Sequence, residues 1–177
     1  MLGSVARTKM VEPPPYLILV GNVGAGKSTM VEKLTGATGR SSPASQSVTV
    51  TSEVFEVYDG SLIICDTPGS NAMDGNFRCN LHIAHAMNFR PVTLVLLVVK
   101  AETRMDNVID NVGQYALGFL PEDFPIDLLG VCITHMDTVS WKPDDLLSRL
   151  SAHLGIESAI FISSDSTKEA IIEITRT

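Results

Sequence analysis

Short apolar runs alternate along this chain with longer segments in which apolar residues recur at helical spacing. Five mostly apolar runs predict buried strands at residues 16–20, 62–65, 92–99, 127–134 and 158–162, and the segment 48–58 predicts a sixth strand. Helices are predicted directly behind residue 29, at 78–88, 105–120 and 143–155, and from residue 167 onward. Strands that alternate with helices favour an α/β fold of three layers with a mainly parallel, six-stranded sheet.

The connection between the second and third predicted strands is short. Asp59-Gly60 separates them, and this dipeptide is typical of a tight hairpin turn. The second strand is therefore expected to run antiparallel to its neighbour. Residues 1–15 contain three consecutive prolines and predict a flexible leader, while the length of 177 residues predicts one domain over 16–177.

The clearest chemical motif follows the first strand. The stretch GNVGAGKST has the spacing of a phosphate-binding loop and lies between a predicted strand and a predicted helix. Its glycines allow backbone N–H groups to converge on an anion, and the helix N-terminus adds partial positive charge. Lys27 is expected to reach the β- and γ-phosphates of a nucleotide, and Ser28 to bind Mg²⁺. The predicted binding residues of this loop are Gly21, Gly24, Ala25, Gly26, Lys27, Ser28 and Thr29.

A second motif, Asp66-Thr67-Pro68-Gly69, ends the third strand. A carboxylate in this place can hold a water on Mg²⁺, and the N–H of Gly69 can meet a γ-phosphate. Asp66 is therefore a candidate for the metal site and Gly69 for the catalytic site. The hairpin between the two motifs disfavours a nucleoside kinase, because such kinases usually place helices there.

Three candidates for base recognition follow the last two strands. Asp137 could accept hydrogen bonds from N1–H and the 2-amino group of guanine, a donor pair that adenine lacks. Backbone N–H groups of Ser163 and Ser164 could meet guanine O6. Ligands of parallel sheets bind beyond the carboxyl ends of the strands, where all these loops are expected. The sequence therefore predicts GTP or GDP with Mg²⁺ as ligands.

Composition narrows the remaining function classes. The formal net charge of −7 and a pI near 5.0 provide no basic surface for nucleic acid or anionic lipid. The longest apolar run, at 92–99, is too short to cross a bilayer. Three cysteines, two of them inside apolar strand segments, favour free thiols in a reducing compartment over disulfides. We expect a cytoplasmic protein without a nucleic-acid partner.

The order of GNVGAGKS, a threonine-bearing loop, DTPG, THMD and FISS resembles the immunity-associated and chloroplast translocon-receptor family of septin-like GTPase domains. The resemblance implies that Thr49, or alternatively Thr51, completes Mg²⁺ coordination when a γ-phosphate is present. It also implies that Thr134 replaces the asparagine of the common Asn-Lys-x-Asp motif, and that His135 lies against the base. Members of the family tend to pair through their nucleotide faces, which implies a nucleotide-dependent homodimer with Arg104 offered to the partner's site. The alternative interpretation of Arg104 is a solvated arginine at a helix start.

The residue after Asp-x-x-Gly bears on the rate of hydrolysis. A Ras-like GTPase carries a glutamine after Asp-x-x-Gly to orient the attacking water, whereas this chain has Ser70 there, so slow hydrolysis by the monomer is expected. Many similar proteins carry membrane anchors beyond this domain, and the chain can be a truncated piece of such a protein, peripheral to a membrane. Two functions remain: a GTP-hydrolysing switch assisted by a partner subunit, and a GTP-regulated scaffold or receptor that scarcely turns over.

Overall fold

The computed structural model describes residues 13–38, 51–57, 60–70, 76–120 and 123–166, of which residues 76–79 and 119 are described by their backbone alone. The strands are β1 (Tyr16–Val20), β2 (Glu53–Val57), β3 (Leu62–Asp66), β4 (Leu94–Lys100), β5 (Leu129–Thr134) and β6 (Ile160–Phe161). The helices are α1 (Lys27–Thr35), α2 (Asn76–Phe89), α3 (Met105–Phe119) and α4 (Pro143–Leu154), with short 3₁₀ turns at Ile126–Leu128 and Met136–Thr138.

All six strands form one sheet in the order β2-β3-β1-β4-β5-β6. Among the strands in the described ranges, only β2 and β3 pair in antiparallel fashion, and the other pairs are parallel. The predicted fold class and the antiparallel second strand are therefore confirmed. Because five strands run in one direction, their carboxyl ends share one edge of the sheet, and the loops that follow them can build a common site there.

The central strand β1 explains the layering. Tyr16, Ile18 and Val20 pack on one face of the sheet with residues of α2, α3 and α4. Leu17 and Leu19 point to the opposite face, where residues of α1 cover them. Successive side chains of a strand alternate between faces, so a strand covered on both sides must be apolar throughout. The result is a sheet between two helical layers, as predicted.

Several predicted strand boundaries are wrong by a few residues. β4 begins at Leu94, two residues after the start of the predicted run, and continues to Lys100 because that residue still pairs with Thr134. The predicted strand at 127–134 opens with a 3₁₀ turn, in which the N–H of Leu128 donates to the carbonyl of Pro125 at 3.0 Å. Extended pairing therefore starts at Leu129.

Other boundaries shift for local reasons. β6 has only two residues instead of the predicted 158–162, since it lies at the sheet edge and pairs with β5 alone. The second helix is longer than the predicted 78–88. The end of α4 is as predicted, because Gly155 closes the helix after Leu154: it adopts a left-handed conformation (φ 69°) and its N–H donates to the carbonyl of Ser151.

Some predictions concern residues outside the described ranges. These are most of the leader, Thr49, Asp59 and the helix expected from residue 167. In the part of the chain that the structure describes, no helix has the length and apolar character that a membrane span requires.

Candidate functional site

The loop between β1 and α1 has the backbone that its glycines allow. Gly24 (φ 77°) and Gly26 (φ 96°) are left-handed, and Gly26 immediately precedes the first residue of α1. A Cβ on Gly21 would lie 2.1 Å from the carbonyl oxygen of Val98, so the first glycine is required by the close approach of β4. The loop therefore curls back over the N-terminus of α1, as a phosphate cradle requires.

Lys27 is folded into this loop. Its side chain is only 5% exposed, and Nζ donates to the carbonyl oxygens of Gly21 at 2.7 Å and Asn22 at 3.0 Å. A buried ammonium needs such acceptors, because desolvating an unpaired charge is costly. The positive charge is thus held against the backbone of this loop.

Ser28 and Asp66 meet beside this lysine. The hydroxyl of Ser28, in the first turn of α1, donates to Oδ2 of Asp66 at 2.9 Å. Asp66 is the last residue of β3 and is 1% exposed. A hydroxyl and a carboxylate are hard oxygen donors, the kind that Mg²⁺ prefers. The two predicted metal residues that the structure describes are therefore adjacent and chemically suited to Mg²⁺.

The segment after β3 is docked onto the loop. The N–H of Val23 donates to the carbonyl of Ser70 at 3.1 Å, and the N–H of Ser70 donates to the carbonyl of Gly21 at 3.3 Å, forming a one-residue parallel bridge between Asn22 and Ser70. Gly69 allows this approach, since a Cβ there would lie 2.6 Å from the backbone nitrogen of Val23. Gly69, a predicted catalytic residue, therefore packs directly against the phosphate loop.

A side-chain relay that the sequence did not reveal fixes the same segment. The hydroxyl of Ser70 donates to Oδ1 of Asn22 at 2.5 Å, and Nδ2 of Asn22 donates to the phenol oxygen of Tyr115 on α3. Burial raises the pKa of the Tyr115 phenol, and the negative charge of Glu102 raises it further. The phenol therefore stays neutral. Ser70 is 2% exposed and engaged by side chain and backbone, so its hydroxyl is not presented to solvent.

The base end of the predicted site is joined to the phosphate loop. Thr134, at the end of β5, donates its hydroxyl to the carbonyl of Ala25 at 2.7 Å. The next residue, His135, has φ 58°, a left-handed conformation unusual for a side-chain-bearing residue, and its Nδ1 lies 2.9 Å from Thr134 Oγ1. Burial, with a smaller effect of the Lys100 charge, lowers the pKa of His135, which favours the neutral imidazole.

Asp137 lies in the 3₁₀ turn that follows His135. Its Oδ1 accepts a hydrogen bond from the N–H of Ser164 at 3.1 Å, and its side chain is exposed. Hydrogen bonds from its own backbone N–H and from that of Ser164 hold the pKa of the carboxyl below its usual range. The group is therefore an ionised acceptor that faces outward and is oriented by the loop after β6.

That loop is held from the opposite side by Lys33, a second residue that the sequence did not indicate. Lys33 lies on α1, and its Nζ donates to the carbonyls of Ser164 at 2.8 Å and Ser166 at 3.0 Å. The N–H of Ser163 donates to the Ser166 hydroxyl at 2.9 Å. Both N–H groups predicted to meet guanine O6, those of Ser163 and Ser164, thus have partners within the protein.

A cavity of about 220 Å³ lies between the phosphate loop and this base end. Its lining includes seven of the predicted binding residues, namely Gly26, Thr29, Thr134, His135, Asp137, Ser163 and Ser164. Lys33 lines it too. Residues from three separate loops therefore converge on one space, as the sequence predicted.

Three other predicted residues lie outside the cavity lining or outside the described ranges. Arg104 is exposed and precedes α3 with an extended backbone, without a side-chain cap on the helix. Thr51, the alternative candidate for Mg²⁺ coordination, is exposed, and Thr49 falls outside the described residues.

Comparison with known proteins identifies the family. The model of a family described as 50S ribosome-binding GTPase matches residues 16–128, which is more than half of the chain. The chain therefore belongs to this GTPase family. No curated protein matches the chain.

Solved structures share the fold at low sequence identity. A variant of NFeoB from S. thermophilus bound to GDP and AlF4⁻ has a TM-score of 0.67 at 18% identity, and the match covers 91% of this chain and 62% of that one. A dimerization-deficient mutant of Toc33 from Arabidopsis thaliana has a TM-score of 0.63 at 17% identity, with 86% and 71% covered. A probable GTP-binding protein engB has a TM-score of 0.62 at 20% identity, with 91% and 95% covered. This chain thus spans less than two thirds of the NFeoB structure.

Proposed function

We propose that this member of the GTPase family is a guanine-nucleotide switch, which binds GTP with Mg²⁺ and hydrolyses it slowly to GDP. The observation that carries the proposal is the cavity between the phosphate loop and Asp137, because it joins a phosphate cradle to an oriented carboxylate. The hydrogen bond from Thr134 to Ala25 connects the two halves of this site. GDP bound to the similar NFeoB structure supports the choice of nucleotide.

At the phosphate end, the residues of the chain have separate tasks. Backbone N–H groups of the loop would bind the phosphate oxygens, and Lys27 would exchange its carbonyl contacts for the β- and γ-phosphates. Ser28 and Asp66 would hold Mg²⁺, with Thr49 as a further ligand in the GTP state and Thr51 as the alternative. When bound, Mg²⁺ neutralises charge that develops on the phosphate oxygens.

At the base end, the Asp137 carboxylate provides two acceptor oxygens for N1–H and the 2-amino group of guanine. Adenine has no such donor pair, so ATP would gain neither of these hydrogen bonds and should bind more weakly than GTP. Ser163 and Ser164 would lie beside O6 in the cavity wall, and the N–H of Ser163 would leave the Ser166 hydroxyl to donate to O6, while the N–H of Ser164 stays on Asp137. His135, neutral at physiological pH, would lie against the base without adding charge.

Slow hydrolysis is proposed because the residue after Gly69 cannot easily orient a water. Ser70 stands in that place, and its hydroxyl is committed to Asn22. We propose that a second subunit accelerates the reaction in another way, by offering Arg104, whose exposure leaves it available to a partner. An arginine offered in trans can stabilise the transferring phosphoryl group by about 10³ to 10⁵ in rate. The dimerization named for the similar Toc33 protein supports a homodimer, which we propose to depend on the bound nucleotide.

The same burial of Ser70 favours one alternative function. If Ser70 stays bound to Asn22, which in turn is bound to Tyr115, the chain could bind GTP and signal its presence to a partner protein without hydrolysing it. This would be a GTP-regulated scaffold or receptor. Nucleotide binding is common to both functions, and only the rate of hydrolysis in the presence of a second subunit separates them.

Single-turnover hydrolysis of GTP, measured over a range of protein concentrations, tests the proposal. The expected rate constant rises with concentration in the wild-type chain and stays at the monomer value in Arg104→Ala. Arg149→Ala is the matched control, because it removes an exposed arginine to which no role in the nucleotide site is given. Arg149 lies on α4 and pairs with Asp106 on α3. A rate independent of concentration in all three chains would favour the scaffold, and failure of the wild-type chain to bind GTP would refute both functions.

We also propose that residues 16–177 form one GTPase domain behind the leader of residues 1–15, and that the protein works in the cytoplasm. Cys65 and Cys132 are buried free thiols, which suits a reducing compartment. The ribosome named in the family description is not proposed as a partner, since the net charge of −7 offers no basic surface for RNA.

A further inference from the structure

Lys33 connects the helix of the phosphate loop to the loop of the base end. It lies on α1, six residues after Lys27, and its Nζ donates to three backbone carbonyls, those of Ser164 at 2.8 Å, Ser166 at 3.0 Å and Ser163 at 3.5 Å. An ammonium has three donors and no acceptor. This arrangement therefore uses its full donor capacity on one short stretch of backbone.

The position of these carbonyls fixes the position of the N–H groups that follow them. The C=O and N–H of a trans peptide unit point in opposite directions. The carbonyl of Ser163 faces Lys33, and the N–H of Ser164 in the same unit faces Asp137 at 3.1 Å. The carbonyl of Ser164 also faces Lys33, so the N–H of Asp165 points away from α1.

Without the ammonium, this loop geometry would be unfavourable. Three carbonyl dipoles that converge on one point repel each other, and a cation at that point turns the repulsion into charge-assisted hydrogen bonds. Lys33 is half-buried and also lines the cavity, so water competes less for its ammonium than at an open surface. Loss of its charge should let the 163–166 loop rotate its peptide units.

We infer that Lys33 is a positioning residue for guanine recognition, which acts through the 163–166 loop on the Asp137 carboxylate. This inference rests on the proposed function. Through Ser164, the lysine holds the N–H that orients the carboxylate, and it thereby couples the base end of the site to α1. Lys27, at the start of the same helix, is proposed to contact the phosphates. One helix would therefore support both the phosphate end and the base end of the site.

Calorimetric titrations of the full chain with Mg²⁺ test the inference, using GDP and tripolyphosphate, an anion that carries no base. Lys33→Met should weaken GDP binding about tenfold, the loss expected for one charge-assisted interaction, and should change tripolyphosphate binding less than about twofold. Lys33→Arg keeps the charge and should recover most of the GDP affinity. Lys142→Met is the matched control, because Lys142 is exposed, precedes α4 and is not in the cavity lining.

A second readout needs no ligand. Amide hydrogen exchange at Ser164 should be faster in Lys33→Met than in the wild-type chain and in Lys142→Met, since the peptide unit is no longer held. GDP binding unchanged in Lys33→Met would overturn the inference. An equal loss of GDP and tripolyphosphate binding would also overturn it, because Lys33 would then only support the fold of α1. If the wild-type chain binds tripolyphosphate but not GDP, the proposed function itself fails.

Discussion

Gly69→Ala tests how closely the segment after β3 must approach the phosphate loop. The added methyl would lie 2.6 Å from the backbone nitrogen of Val23, 2.7 Å from its Cα and 2.8 Å from its Cγ2. Two of these atoms belong to the backbone and cannot rotate away. The segment, or the phosphate loop, must therefore move by several tenths of an ångström.

The cost follows from the contacts that such a movement strains. Overpacking of this kind typically costs about 1–3 kcal/mol. The two backbone hydrogen bonds that join Ser70 to Gly21 and Val23 are 3.3 and 3.1 Å long and would lengthen further, at about 0.5–1.5 kcal/mol for each bond that is lost. We expect the free energy of unfolding of the nucleotide-free chain to fall by about 2–4 kcal/mol.

Urea unfolding of the nucleotide-free chain, followed by circular dichroism, measures this change. Gly118→Ala is the matched control, because a Cβ there meets nothing within 4 Å and the residue lies in α3. Alanine in a helix is favoured over glycine, so the control should gain about 0.5 kcal/mol. If Gly69→Ala is as stable as the wild-type chain, the docking of this segment onto the loop is not the resting state and the argument is wrong.

Three further predictions concern the nucleotide site itself. Lys27→Ala should weaken binding of a fluorescent GDP at least tenfold, about 1.4 kcal/mol, while Lys142→Ala should bind as the wild type does; equal affinity of both variants would refute the phosphate-loop assignment. The wild-type chain should prefer GTP to ATP, and Asp137→Asn should move the preference toward xanthine nucleotides in competition titrations, so an unchanged ranking would exclude the carboxylate from base recognition. The pKa of His135 is lower in the folded chain than in the unfolded chain, so the unfolded chain binds a proton at this imidazole more readily. The contribution of His135 to the free energy of unfolding should therefore be fully present above pH 6.5 and be lost as the pH falls through the lowered pKa. His135→Gln should remove this part of the pH dependence of the urea midpoint, and identical pH profiles would contradict the assignment.

The sequence was sufficient wherever local structure depends on residues close together in the chain. The phosphate loop combines fixed glycine spacing with a strand before it and a helix after it, so its backbone could be predicted before any tertiary contact was known. Asp66 could be placed because β3 is a short, wholly buried strand that ends at it. Parallel pairing then brings the ends of β3, β1 and β5 to one edge, which is why Asp137 could be assigned to the same site, whereas the role of Thr134 came from the family resemblance.

Contacts between residues far apart in the chain could not be predicted in this way. Asn22 and Tyr115 are 93 positions apart, and Lys33 and Ser164 are 131 apart. On an amphipathic helix, a tyrosine on the apolar face is indistinguishable from an ordinary core residue, and a lysine at its border from a solvated one. Their roles depend on how α3 and α1 are rotated against the sheet, which the apolar pattern defines only approximately. The ends of several strands were predicted wrongly for a related reason. A strand ends where its pairing with the neighbouring strand ends, and that pairing joins residues far apart in the chain.

The two ends of the site are attached to the rest of the protein in different ways, and this difference suits a switch. The base end is joined to the phosphate loop and α1 by the bonds from Thr134 to Ala25 at 2.7 Å and from Lys33 to Ser164 at 2.8 Å. Ser70, which follows Gly69, is joined to the same loop by backbone bonds of 3.1 and 3.3 Å and by its hydroxyl, which donates to Asn22 at 2.5 Å. The γ-phosphate is expected to meet the N–H of Gly69, whereas the guanine contacts are expected at Asp137, at the other end of the site. We therefore expect a γ-phosphate to act on Gly69 and Ser70, and GDP and GTP to share the same base contacts.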